Sequence, residues 1–496
     1  ERERTFTVFA DRVARLAGAL QALGMQAGDR VAMLSLNSDR YLEYQMAIPW
    51  AGGVLNPCNI RWSAAEILYS LNDSGSTILL VDDAFLPLLG QFRAEASTLR
   101  HVIYCGENEV PAGMLGYEEL VADTAPVPDA LRQGEDLAGI FYTGGTTGFP
   151  KGVMLSHANI CSSALTARAE GMATPNGVYL HAAPMFHLAD IGISGPHWLE
   201  GNTHSIVPAF NPEGVLDVLA RDRVTHLLLV PTMIQMMVDH PSMAKPRDLG
   251  ALKAIAYGAS PISEAVLERA MAALPGVEFT QAYGMTELSP IATILPPFHH
   301  TAEARKLGKR RSAGRASFVT EVKIVDAEDN EVPRGTVGEV VVRGPNVMQG
   351  YWNQPAMTAA ALRGGWMHTG DGAWMDDEGF IFIADRLKDM IISGGENVYS
   401  VEVENALAQY PAIAACAVIG VPSEEWGESV HAVIVCKPGQ VADAAELIAH
   451  CKTLIAGYKC PRSVEQVDAL PISGAGKVLK INLRKPWWEG RERAVA

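Results

Sequence analysis

The stretch Tyr142-Thr143-Gly144-Gly145-Thr146-Thr147-Gly148-Phe149-Pro150-Lys151-Gly152 follows directly on the apolar run Leu137 to Phe141. Its eleven residues hold four glycines, three threonines and one lysine. A buried strand feeding such a loop brings backbone N–H groups close to an anion, because glycine has no side chain to hold the oxygens away. The threonine hydroxyls add donors and Lys151 adds a cation. The expected ligand is a polyphosphate. A Walker-type loop is excluded by spacing, since it needs Gly-Lys adjacent and then Ser or Thr. Here Phe149 and Pro150 separate Gly148 from Lys151, and Gly152 follows. Just downstream, Ser156-His157-Ala158-Asn159 predicts a helix start with Ser156 as its N-cap.

Outward from this loop, short apolar runs alternate with helical periods, which predicts layered α/β architecture. Strands are expected over Arg30 to Leu36, Thr77 to Val81, Val102 to Cys105, His226 to Val230 and Ala254 to Tyr257. Helices are expected over Thr5 to Leu23, Pro212 to Arg221 and Glu264 to Leu274. From Ser317 the texture becomes β-rich, with strands expected at Val319 to Val325 and Gly338 to Arg343. A boundary is expected near Asp385-Arg386-Leu387-Lys388, dividing a large domain, 1–385, from a small α+β domain, 386–496. The small domain's pattern is helix Val401 to Ala408, strands Ala414 to Gly420 and Ser429 to Cys436, and helix Asp443 to Ile455.

A chain of 496 residues is too long for one ordinary domain. With 48% hydrophobic and 19% charged residues it has ample core, and no apolar run long enough for a transmembrane segment is seen. A net charge of −16 argues against general nucleic-acid binding. The tail from Cys451 to Ala496 departs from this, with nine Lys/Arg against four Asp/Glu. The seven cysteines are scattered and form no CxxC pair, which fits reduced thiols and a cytoplasmic location. The first residue is Glu1 and a helical pattern starts almost at once, so a short N-terminal portion is expected to precede it.

Two further motifs carry chemistry. Ala282-Tyr283-Gly284-Met285-Thr286-Glu287 joins an aromatic ring, a glycine turn, a hydroxyl and a carboxylate, the parts needed for adenine, phosphate and Mg²⁺. His368-Thr369-Gly370-Asp371 offers a carboxylate able to accept from both ribose hydroxyls. Together with the loop, these motifs resemble those of the adenylate-forming (ANL) superfamily, which includes acyl- and aryl-CoA synthetases, firefly-type luciferases and peptide-synthetase adenylation domains.

The resemblance covers nearly the whole chain. Gly258-Ala259-Ser260 is similar to the family's adenine-binding turn, Asp385-Arg386-Leu387-Lys388-Asp389 to its interdomain hinge, and Pro471-Ile472-Ser473-Gly474-Ala475-Gly476-Lys477 to its catalytic-lysine loop. Ile392-Ser393-Gly394-Gly395-Glu396-Asn397-Val398-Tyr399 resembles the acyl-CoA synthetase branch; luciferases carry a basic Lys where this chain has Ile392. Two departures stand out. Ala475 replaces a more polar residue, and Ser400 stands where the family commonly has proline.

The resemblance implies an AMP-forming acid–CoA ligase. A carboxylate attacks the α-phosphate of ATP, pyrophosphate leaves, and the acyl-AMP passes its acyl group to CoA. It implies Thr143, Thr146, Thr147 and Lys151 on the β- and γ-phosphates, within a loop whose Gly144, Gly145 and Gly148 bare the backbone. Thr286 and Glu287 belong to the catalytic centre, with Glu287 on Mg²⁺, and Asp371 and Arg386 hold ribose. Lys477 bridges the α-phosphate and the substrate carboxylate. Lys388 is the hinge, and Gly394 and Gly395 border the pantetheine path of CoA. Pro184-Met185-Phe186-His187 resembles the gate between acyl pocket and CoA tunnel, with His187 as the gate.

Pocket walls are expected from Ala189, Ile191, Gly192, the helix starting at Val230, Gly258 and Ser289 to Ile291. None is a cation placed for a second carboxylate. A monocarboxylic acid follows: medium-chain fatty, sulfur-containing short-chain or aryl. Two alternatives stay open, an acyl-AMP ligase serving a carrier protein and a non-catalytic nucleotide-binding protein on the same fold. Beyond the acid, ATP and CoA, the resemblance leaves room for a homodimer.

Overall fold

The structure is a computed structural model that describes residues 2–144, 150–260, 262–386, 389–394, 396–473 and 477–489. The polyphosphate loop joins two antiparallel strands, Leu137–Thr143 and Lys151–Ser156, with Thr143 opposite Lys151. The return strand was not foreseen from sequence, where the loop was expected to lead to a helix. It forms because Val153 and Leu155 alternate inward and bury completely beside Phe141. The helix then begins as expected. Ser156 Oγ accepts from the Asn159 amide at 3.1 Å and Asn159 returns a bond to the Ser156 amide at 2.8 Å, a reciprocal cap of helix His157–Ala169.

The hairpin belongs to an eight-stranded sheet. From Leu137–Thr143 inward the strands run Val54–Pro57, Arg30–Leu34, Ile78–Val81, His101–Tyr104 and Leu115–Gly116, all parallel. The short strand Gly350–Tyr351 caps the hairpin's outer edge. A second, seven-stranded sheet has Thr203–Ile206, Val178–His181, His226–Leu229, Ala254–Gly258 and Glu278–Tyr283 in parallel, closed by the antiparallel Thr293–Leu295 and Arg315–Ala316. Helix Pro212–Arg221 matches its expected bounds, with Pro212 in its first turn and Asn211 as cap.

The β-rich region is a four-stranded antiparallel sheet of Glu321–Val325, Gly338–Arg343, Met367–Met375 and Ile381–Arg386. The small C-terminal unit has its own sheet, led by the long pair Ile413–Ser423 and Gly427–Cys436. Helices Ser400–Leu407 and Ala444–Leu454 pack on it around Val403, Leu407, Val418, Val430 and Leu447. Among the described residues no helix is long and apolar enough to cross a membrane.

Candidate active site

Parallel strands deliver their C-terminal ends to one side of a sheet, where ligands of open α/β folds bind. Ala254–Gly258 and Glu278–Tyr283 are neighbours in such a pair, with Gly258 opposite Ala282. Gly258-Ala259-Ser260 and Tyr283 to Glu287 therefore leave the sheet side by side. Gly258 has no room for a side chain: a Cβ there would lie 2.2 Å from the Ala282 carbonyl oxygen.

A cleft of about 370 Å³ opens beside these turns, lined among others by Thr143, Gly144, Lys151, Glu287, Tyr351 and Arg386. Glu287 is buried, and its Oε1 accepts from the Tyr351 phenol at 2.9 Å. Burial pushes its carboxyl above the usual range, against the pull of that bond and of Arg386 and Lys151. Lys151 Nζ lies 5.4 Å from the centre of the Tyr351 ring. A cation entering here would meet a desolvated carboxylate. Among the described residues no cluster of three or more His, Cys, Asp or Glu forms a metal cage. One carboxylate suits Mg²⁺, which commonly takes one or two carboxylates and fills its sphere with phosphate and water.

Asp371 and Arg386 face each other across strands Met367–Met375 and Ile381–Arg386, with Arg386 Nε 3.4 Å from Asp371 Oδ1. The other carboxylate oxygen accepts from the Tyr283 hydroxyl at 2.8 Å. Tyr283 thus engages the carboxylate through its polar end. Glu339 braces the approach to Asp371, accepting from the Gly370 amide at 2.9 Å and contacting His368 Nδ1 at 2.9 Å.

His187 caps helix Leu188–Leu199, its Nδ1 accepting from the Ala189 amide at 3.3 Å. Burial and the nearby Lys477 ammonium lower its pKa to about 4, so the imidazole is neutral. Lys477 belongs to the small unit, and its charge is felt by His187 of the large one. Its loop is closed by Ser473, whose amide donates to the Lys477 carbonyl at 2.7 Å and whose Oγ accepts from the Lys477 amide at 3.1 Å. Arg61 holds this loop to the large unit through the Ser473 carbonyl at 3.1 Å, and Gln235 reaches the Ala414 carbonyl at 2.7 Å. Ala183, Ala189, Ile193, Ala256, Ala282 and Ile291 belong to one packed apolar cluster with Met172, Tyr179, Leu228 and Ile294. Gly192 packs so tightly on Pro290 that an added Cβ would sit 2.3 Å from its Cδ.

The structure therefore gathers Thr143, Gly144, Lys151, Glu287 and Arg386 in one cleft, joins Tyr283 and Arg386 to Asp371, and brings the charge of Lys477 to bear on His187. Thr286 is buried next to Glu287. Gly394 is elsewhere, with φ +64° and its amide on the Trp426 carbonyl at 2.8 Å. Gly145, Thr146, Thr147, Gly148, Lys388 and Gly395 lie outside the described residues. Tyr351, Glu339 and Arg61 were missed by the sequence reading. Only the aromatic pair Tyr351-Trp352 after Gly350 offered a local cue.

The family model described as AMP-binding enzyme matches residues 1–352, and the one described as AMP-binding enzyme C-terminal domain matches 402–477. A feruloyl-CoA synthase from Amycolatopsis sp is 42% identical over 97% of this chain and 93% of that protein. A fatty acid–[acyl-carrier-protein] ligase from Streptomyces coeruleorubidus is 35% identical over 97% of this chain and 91% of its own length. Among solved structures, an anthranilate CoA ligase in complex with anthranoyl-AMP superimposes with a TM-score of 0.89 at 27% identity, over 98% of this chain and 92% of the other.

Proposed function

This chain belongs to the AMP-binding enzyme family and is an AMP-forming acid–CoA ligase, and on that premise we propose that its acid is an aromatic monocarboxylate. The 42% identity to a feruloyl-CoA synthase is the observation that carries the aromatic reading. The expected pocket walls Ala189, Ile191 and Gly192 are small or apolar, which suits an acid with an apolar body.

The chemistry follows from the charges. A carboxylate approaching the α-phosphate meets like charge, and Lys477 offsets it with a compact ammonium whose charge also reaches His187. Neutral His187 adds no charge of its own and leaves the gate apolar enough for an acyl chain. Asp371, braced by Tyr283 and Arg386, accepts from the ribose hydroxyls. Lys151 and Thr143 hold the phosphate tail, with Thr146 and Thr147. Glu287 would hold Mg²⁺, which when bound neutralises phosphate oxygens and eases departure of pyrophosphate. The acyl-AMP carbonyl then accepts the CoA thiol, AMP leaves with its electron pair, and the thiol proton passes to solvent.

The two steps require the small unit, residues 386–496, to turn about Lys388, alternately presenting Lys477 and the Gly394-Gly395 segment. Seven cysteines, none in a disulfide, suit the cytoplasm. The test is AMP release measured across hydroxycinnamic, benzoic, indolic and fatty acids, with and without CoA. Aromatic acids should give fast, CoA-dependent release. Fatty acids outpacing them would overturn the aromatic reading, and acyl-AMP formed without CoA turnover would favour delivery to a carrier protein.

A further inference from the structure

Ser400 opens helix Ser400–Leu407, and the first N–H of a helix has no partner within it. Here that N–H donates to Asp385 Oδ2 at 2.6 Å. The Ser400 hydroxyl accepts from the Lys480 ammonium, which also pairs with Glu404 Oε1 at 2.7 Å. Asp385 Oδ1 is taken by the Arg386 amide at 2.8 Å, so both its oxygens are engaged. Ser400 and Asp385 are fully or almost fully buried. Burial pushes the carboxyls of Asp385 and Glu404 up, and the Lys480 ammonium is the largest influence opposing it on each.

Asp385 ends a strand of the large unit, opposite Gly372 and next to the Arg386–Asp371 pair. Ser400 and Lys480 belong to the small unit, and Lys480 is three residues past Lys477. One run of contacts thus links Asp371, which faces the nucleotide, to the segment bearing Lys477. A proline at 400 would have no N–H to give Asp385. We infer that Ser400 and Lys480 are positioning residues that cross-tie the small unit to Asp385 and thereby seat Lys477 for acyl-AMP formation. The inference rests on the two-pose reading above.

The substitution that tests it should fold. Proline is favourable at the first helical position, and Tyr399, at φ −86° and ψ 119°, is already extended as a residue before proline must be. Each half-reaction is measured separately, acyl-AMP from acid and ATP, then acyl-CoA from supplied acyl-AMP. Ser400→Pro should slow the first on the order of tenfold or more, the worth of a charge-assisted buried hydrogen bond, and leave the second at the wild-type rate. Ser400→Ala, which keeps the N–H, should lose less. Lys480→Gln should show the same one-sided loss, and decides the matter if Ser400→Pro is recovered unfolded. Equal losses in both half-reactions, or none in either, overturn the inference while leaving the ligase reading intact. A wild-type enzyme that makes no acyl-AMP overturns both.

Discussion

The Tyr351 phenol donates to the buried carboxylate of Glu287 across 2.9 Å, joining a two-residue edge strand to the proposed metal-holding residue. The bond favours the ionised carboxylate, and burial opposes it. Tyr351→Phe therefore raises the Glu287 pKa further. The acid limb of kcat/KM for Mg-ATP should move to higher pH, and affinity should fall by about 1–3 kcal/mol, the cost of a buried acceptor left unpaired. An unmoved pH profile would remove Glu287 from the metal role.

Lys477→Ala should make acyl-AMP about 10²–10³ more slowly, the usual loss of one charge-stabilising contact. On the proposed two-pose reading, conversion of supplied acyl-AMP and CoA should persist, because the small unit would by then have turned away. Rapid-quench measurement of each half-reaction decides it, and equal damage to both would sink the two-pose mechanism.

Gly258→Ala places a methyl group 2.2 Å from a backbone oxygen that cannot move without disturbing the sheet. Overpacking of this kind costs roughly 1–3 kcal/mol. The thermal midpoint should drop and the KM for ATP should rise together. A stable variant with normal ATP kinetics would place the adenine turn elsewhere.

Acid should destabilise the fold through buried histidines. Burial lowers His197 to about 3, and His226 and His300 to about 4, each below the ordinary 6.5. Between pH 6.5 and 4 the unfolded chain binds protons that the native one refuses. Stability is complete above that window and declines as pH falls through it, by up to about 1.4 kcal/mol per pH unit for each such histidine. Denaturant titrations at pH 7 and 4.5 check the slope, and His226→Asn should make it shallower.

Much of the architecture was legible because local rules agreed with the fold. The helix expected from Pro212 starts there, and Ser156 caps another as expected. Strand Gly338–Arg343 ran to its expected ends. The Lys151–Ser156 strand escaped notice because Lys151 and Gly152 close a glycine-rich loop, leaving four residues to show alternation. Motifs revealed which residues meet the nucleotide, but not how they are braced. Tyr351 lies 64 residues from Glu287, and the edge pairing of Gly350–Tyr351 against the hairpin, with the Met348 amide on the Glu287 carbonyl at 2.9 Å, brings them together. Tyr283 showed its ring in the sequence and its hydroxyl bond to Asp371 only in the fold.

On the proposed two-pose reading, Lys477 and Gly394 ride on one small unit and serve the acyl group in turn. Chronology is thereby written into the chain. Pyrophosphate has to depart before the thiol engages, and double-reciprocal plots of ATP at several fixed CoA concentrations should run parallel rather than converge. A cell short of CoA would hold this enzyme loaded with acyl-AMP, sheltered from water and poised for the next thiol.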